Sequence, residues 1–161
     1  MKILALDLGT KCGFAYDPLL KVPDIKQFKY SGVFDLTPKR HESAGMRFIH
    51  FKQSLEPFKG FELVVYEEIA RHLGTHAAHI YGGLVAMLQS FCIDNGIEYQ
   101  GIPVGTLKKH ATGKGNANKQ MMIEACKEKL GIIPIDDNEA DALWLLNYAF
   151  KNYGGKPPSV T

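Results

Sequence analysis

The sequence predicts an α/β domain built on one mixed sheet with helices on its flanks, and three observations predict it. Short β-rich apolar runs such as ILALDL and FELVVY alternate with longer stretches of helical periodicity. The signals follow the order three strands, helix, strand, helix, strand and then helices, which is an α/β order. At 161 residues the chain is long enough to bury a real core, and it shows no internal repeat and no second core. One domain over 1–151 and a loose tail over 152–161 is the organisation these observations predict.

Each element has its own signal. Lys2–Leu8 is apolar and β-rich and reads as a buried strand ending at Asp7-Leu8-Gly9. Thr10–Gly13 is a turn signal, so Gly13–Tyr16 begins the second arm of a hairpin. Residues 17–30 contain Pro18 and Pro23 and read as an irregular excursion before a third strand over Tyr30–Leu36. Ala44, Phe48, Phe51 and Leu55 recur at helical spacing within Ser43–Phe58. Phe61–Tyr66 is a central strand ending at Glu67-Glu68. Ile80, Leu84, Met87, Leu88 and Phe91 form a stripe on a helix from His76 to Asn95, with Gly96 placed as its terminating glycine. That stripe reads as core for the most part, or as a dimer surface, and Gly82-Gly83 within it would permit close helix approach. Ile97–Val104 is the last strand. Lys119–Leu130 and Asp136–Phe150 are helices, and Asp136 with Glu139 forms a capping-box pattern.

Composition narrows the function class. Hydrophobic residues make up 45% and charged residues 22%, a globular balance, and no apolar run is long enough to span a bilayer. Asp7 and Gly9 interrupt the N-terminal apolar run too early for a signal peptide. Cys12, Cys92 and Cys126 are odd in number and form no C-x-x-C pair, which argues against a disulfide framework or structural zinc and for a cytoplasmic setting. The net charge is only +2, but Val104–Lys129 holds six lysines against two glutamates. A basic segment on a near-neutral chain suits an anionic ligand held in one place.

The acids carry the chemistry. Asp7 ends an apolar strand on the face of Ile3 and Ala5, where a carboxylate is costly unless it binds something or accepts turn amides near Gly9. Glu67 and Glu68 end a strand on opposite faces, so one of them can join Asp7, and the pattern does not choose between them. Asp141 lies near the apolar face of the last helix, with Asp137 and Asn138 one turn back. Asp136, Asp137 and Glu139 are also accounted for as acids that answer the dipole at a helix N-terminus. Converging carboxylates are the donors that hard cations such as Mg²⁺ require for phosphodiester hydrolysis.

In this order, the segments ILALDLGTKCGFA, LVVYEEIA, VGTLKKHATGKGNANKQMM and NEADALWLL resemble the RuvC-type crossover junction endonucleases. The resemblance covers most of the chain, and its most specific parts are TGKG-x-A-x-K and EADAL. It implies an RNase H-like fold with a mixed five-stranded sheet, and a metal site of Asp7, Glu67 and Asp141. It also implies Mg²⁺, or Mn²⁺ in its place, with two ions per site. Phosphate-binding lysines fall on Lys108 and Lys119, joined by Lys109 and Lys114, and one of them, Lys119, is set beside the reaction. Gly113 and Gly115 let the backbone approach the strand. The implied function is a homodimeric hydrolase that binds four-way DNA junctions and resolves them by paired symmetric nicks.

Two positions depart from the family pattern. The acid or histidine usual three residues before the last Asp is Asn138 here, so Asn138 or Asp137 completes the site. The aromatic wedge that follows the catalytic Glu is Ala70, which leaves Arg71 or His72 to take its place on DNA. The opening DLGTKCG is also similar to YqgF-type nucleases, which act on RNA. A junction-binding protein weakened in catalysis at Asn138 is the non-enzymatic alternative.

Overall fold

Period-two alternation in the strands decides how this molecule is layered. The computed structural model describes residues 1–17, 30–72 and 74–154. The strands are β1 (Ile3–Asp7), β2 (Lys11–Tyr16), β3 (Ser31–Asp35), β4 (Leu63–Glu68) and β5 (Glu98–Pro103). They form one five-stranded sheet in the order β3-β2-β1-β4-β5. The first three pair antiparallel, and β4 runs parallel to both β1 and β5. The helices are α1 (Met46–Leu55), α2 (Thr75–Asp94), α3 (Val104–Thr112), α4 (Lys119–Ala125) and α5 (Asp137–Tyr153). A 3₁₀ turn, Glu56–Phe58, prolongs α1, and a π-helical turn, Cys126–Leu130, prolongs α4.

β1 is the central strand, so both of its faces are covered and its sequence is apolar at successive positions. Ile3 and Ala5 join Leu63, Val65 and Ile102 against α3, α4 and α5. Leu4 and Leu6 join Val64, Phe14 and Tyr16 against α1 and α2. Ends are fixed by local chemistry. Gly96 has φ +65° just past α2, and the next amide, of Ile97, donates back to the Cys92 carbonyl at 2.8 Å. Asp136 caps α5, its side chain accepting from the Glu139 amide at 2.9 Å.

Several expectations are corrected. The basic segment between the expected strand ending at Val104 and the expected helix from Lys119 carries a further helix: nine residues form α3, and only the stretch from Gly113 to Asn118 connects it to α4. Gly113, with φ +82°, ends that helix in the left-handed region. The run of apolar residues begins its helix at Met46 rather than Ser43, and Ala44 is exposed. Glu139 does not close a reciprocal capping box on Asp136. Its carboxylate is buried, accepting from the Ile135 amide at 2.6 Å and from the Ser31 hydroxyl at 2.8 Å. Of the expected Gly82-Gly83 contact, Gly83 makes it, since a Cβ there would meet the Phe48 ring, whereas Gly82 faces open space. In the α2 stripe, Leu84 and Leu88 are fully buried, while Ile80, Met87 and Phe91 are half-buried. The excursion expected over 17–30 and the tail beyond Gly154 lie almost wholly outside the described residues. Among the described residues, no helix is long and apolar enough to cross a membrane. All three cysteines are buried free thiols.

Candidate metal centre

Three elements deliver one carboxylate each to a single point. β1 and β4 are parallel neighbours with Ala5 opposite Val65 and Leu6 opposite Tyr66, so their ends leave the sheet side by side. Alternation then selects Glu67 over Glu68. Leu63 and Val65 share the α5 face with Ile3 and Ala5, so Glu67 emerges on the side of Asp7. Glu68 falls on the opposite face and is exposed. α5 crosses this end of the sheet and contributes Asp141. Carboxylate oxygens of Asp7, Glu67 and Asp141 all lie within 4.8 Å of one another.

Two residues without a functional signature hold this geometry. Gly13 pairs with Asp7 across the β1–β2 hairpin and is buried under the first turn of α5. A Cβ at position 13 would overlap the backbone carbonyl of Asn138, so only glycine lets the helix come this close. Tyr81, on α2, clamps the end of β4. Its hydroxyl donates to the Glu67 carbonyl at 2.8 Å and accepts from the Ile69 amide at 3.1 Å. The sequence marks the first only as part of a turn signal, and the second falls outside the apolar stripe of its helix, so neither points to the acids.

The electrostatics are those of a crowded acidic crevice. Burial raises the Asp7 carboxyl well above its ordinary value of 3.8, and Asp141, Glu67, Asp137 and Asp136 raise it further. Burial, then Glu67 and Asp137, push Asp141 from 3.8 up to about 8, against the opposing pull of Lys108 and Lys119. Burial also raises Glu67, with Lys108 opposing. Asp141 Oδ1 is buried and has no hydrogen-bond partner among the described residues. An unpartnered buried oxygen among like charges is costly, and a divalent cation would satisfy it. The donor set, three carboxylates converging from separate elements, fits a hard cation.

The other expected site residues divide into two groups. Lys108, half-buried on α3, acts on both Glu67 and Asp141. Lys119, the first residue of α4, lies 3.4 Å from the Asp137 carboxylate and acts on Asp141. Asp137 in turn acts on Asp7 and Asp141. Asn138 packs its backbone on Gly13, and its amide nitrogen donates to Asp136 at 3.2 Å. Lys109, Lys114, Gly113 and Gly115 are exposed around the α3–α4 connection. Arg71 is exposed beyond β4, and His72 rests its ring 4.8 Å from that of Tyr81.

No protein-family profile and no curated protein matches this sequence. Solved structures do match it. Thermus thermophilus RuvC is similar over 98% of this chain and 100% of its own, with 22% identity and a TM-score of 0.67. The chain has the RuvC fold. The same T. thermophilus protein in complex with a Holliday junction substrate aligns over 98% of this chain and 99% of its own, with a TM-score of 0.68. The yeast mitochondrial Holliday junction resolvase Ydc2 aligns over 89% of this chain and 76% of its own, at 14% identity and a TM-score of 0.56. The RuvC fold is the RNase H-like arrangement expected, with its mixed five-stranded sheet between two helical layers.

Proposed function

We propose that this chain is a divalent-metal-dependent endonuclease that resolves four-way DNA junctions by paired symmetric nicks, acting as a homodimer in the cytoplasm. The observation that carries this reading is the meeting of Asp7, Glu67 and Asp141 within 4.8 Å, with one buried Asp141 oxygen left unpartnered. T. thermophilus RuvC, whose fold this chain shares, is seen with a Holliday junction substrate, which supports the choice of branched DNA. A four-way junction is two-fold symmetric, and a C₂ dimer presents two sites in matching symmetry.

Asp7, Glu67 and Asp141 would hold Mg²⁺ or Mn²⁺, in a pair of ions. When bound, the metal supplies an activated water and neutralises charge at the scissile phosphate. Asp137 is the stronger candidate to complete the donor set. It already acts on two of the three acids, whereas Asn138 turns its amide nitrogen to Asp136. Lys108 and Lys119 both act on the acids and would hold the phosphate, Lys119 from its ion pair with Asp137. Lys109, Lys114 and Arg71 extend the cationic surface, with Gly113 and Gly115 admitting the DNA backbone.

The test is cleavage of a synthetic four-way junction with Mg²⁺ or Mn²⁺, set against a structured RNA and a linear duplex. Wild type should nick two opposed strands of the junction, and Asp7→Asn should lose on the order of 10³-fold in rate, the scale of removing one preorganised charge-stabilising group. Preferential cleavage of the RNA would transfer the function to the YqgF-type reading. Tight junction binding without nicking in either metal would leave a junction-binding protein.

A further inference from the structure

The two lysines that act on the acids stand on one side of the sheet. Lys108 on α3 and Lys119 on α4 belong to the layer that packs with α5. A DNA strand held only from that side would meet a crowded acidic crevice with nothing to fix its continuation. A second cation, on the side of α1 and α2, would complete the hold.

Such a cation stands at the turn that follows Asp7. Arg47, in the first turn of α1, donates from Nε to the Thr10 hydroxyl at 3.0 Å. The turn itself is fixed, since the Leu36 amide donates to the Thr10 carbonyl at 2.8 Å. Of the chain's three arginines, Arg40 and Arg71 are exposed and Arg47 is half-buried. Lys11, the residue after Thr10, is already paired with Asp35 at 2.6 Å. Arg47 forms no ion pair among the described residues, and its two terminal nitrogens have no acceptor among them. A half-withdrawn charge without a counter-charge is costly. A guanidinium is planar and always charged, so with Nε engaged its terminal nitrogens remain to grip an oxyanion.

Space adjoins the turn. Leu8, Gly9 and Thr10 line a cavity of about 270 Å³ together with Ile69 and Tyr81. Leu8 follows Asp7 directly, and the Tyr81 hydroxyl is bonded to the Glu67 carbonyl at 2.8 Å. The cavity thus begins where two of the three acid-bearing segments end, and it is walled by α2 rather than by the elements that bear Lys108 and Lys119.

We propose that Arg47, oriented by Thr10, binds a backbone phosphate adjacent to the one that is cleaved, on the side of the acids opposite Lys108 and Lys119. The inference rests on the junction-binding reading and adds a positioning contact to it. A strand held on both sides of the acids keeps its scissile phosphate from sliding or turning, which is the condition for reaction at a fixed geometry.

The experiment uses the full chain in EDTA and four-way junctions that each carry one uncharged methylphosphonate, moved one phosphate at a time through the branch region. At one position wild type should lose roughly tenfold in affinity, the scale of one charge-assisted contact. Arg47→Gln should bind the unmodified junction about tenfold more weakly, lose nothing further at that position, and stay sensitive at the others. The slope of its salt dependence should fall by roughly 0.9, one counterion. Thr10→Val keeps the side-chain volume and all of the charge. It should leave the salt slope at the wild-type value, weaken binding about threefold, and add nothing in the Arg47→Gln background.

An Arg47→Gln variant that stays as sensitive as wild type at every position overturns the proposal, because a brace for the turn would act that way and a phosphate contact would not. Wild-type affinity in Arg47→Gln overturns it too, and the junction reading survives both results. If the melting temperature shows that Arg47→Gln does not fold, Arg47→Lys carries the test. It keeps the charge and loses the fork, so it should keep the salt slope and the sensitive position with a smaller loss there; full wild-type sensitivity would overturn the proposal. A wild type with no preference for the junction over duplex sinks the junction reading and this inference with it.

Discussion

Along β1, Leu4 and Leu6 look toward a layer of aromatic rings, whereas Ile3, Ala5 and Asp7 look toward α5. The aromatic side is filled by bulk. Phe14 stacks on Phe34 at 4.2 Å, and Phe58 meets Tyr16 and Phe61 edge-on at 5.6 and 5.1 Å. The α5 side is lined with small residues where the helix crosses: Ala5, Gly13 and Ala15 on the strands, Ala140 and Ala142 on the helix. Rings give burial area and tolerate distance. Small residues give little area but let a helix backbone rest on a strand backbone. One face therefore supplies stability, and the other sets where Asp141 stands relative to Asp7 and Glu67.

That division can be broken in two directions. Phe58 is fully buried on the aromatic side. Phe58→Ala should cost about 3–5 kcal/mol in urea unfolding, while the cleavage rate per folded molecule stays within about twofold of wild type. A large rate loss in molecules shown to be folded would mean that the two faces are not separable. Gly13→Ala should do the reverse. Overpacking against Asn138 should cost only about 1–3 kcal/mol. The displaced start of α5 should lower cleavage by about 10²-fold, the scale of a 1 Å misplacement at a reacting centre. If Gly13→Ala cleaves at the wild-type rate, the close approach at Gly13 does not place Asp141.

The same contrast explains what could be read in the sequence. Strands and helices were legible because burial leaves a pattern: a short continuous apolar run where both faces of a strand are covered, as in FELVVY, and helical spacing in Ile80, Leu84, Leu88. The choice between Glu67 and Glu68 was not, because parity is defined only once β4 lies in register beside β1. The family resemblance supplied Glu67, and the sheet supplies the physical reason. α3 is hard to see in the sequence because its two lysines and Gly105 mask a short apolar pair, Leu107 and Ala111, that faces the core. Gly13 and Tyr81 were missed because their contacts are with backbone atoms distant in sequence, and such contacts leave no local pattern.

The smallest expected effect sharpens the comparison, since it depends on one face alone. In the metal-free protein Asp141 titrates at about 8, against 3.8 for the free carboxyl, and Asp7 shifts in the same direction. The folded state thus holds protons that the unfolded state has released. The linked stability is fully present below about pH 4 and is lost as pH rises toward about 8. Melting temperature in EDTA should fall across that window, by about 2–4 °C for each kcal/mol of linkage in a domain of this size. Divalent metal binds the deprotonated carboxylates, so Mg²⁺ should recover the loss near the top of the window and add little near the bottom. Other groups titrate in the same range, so the quantity to compare is wild type minus Asp141→Asn. That difference should carry both the pH slope and most of the Mg²⁺ response, and the corresponding difference for Phe58→Ala should carry neither. An Mg²⁺ response that is equal at the two ends of the window, or that survives Asp141→Asn intact, would place the ion somewhere other than between β1, β4 and α5.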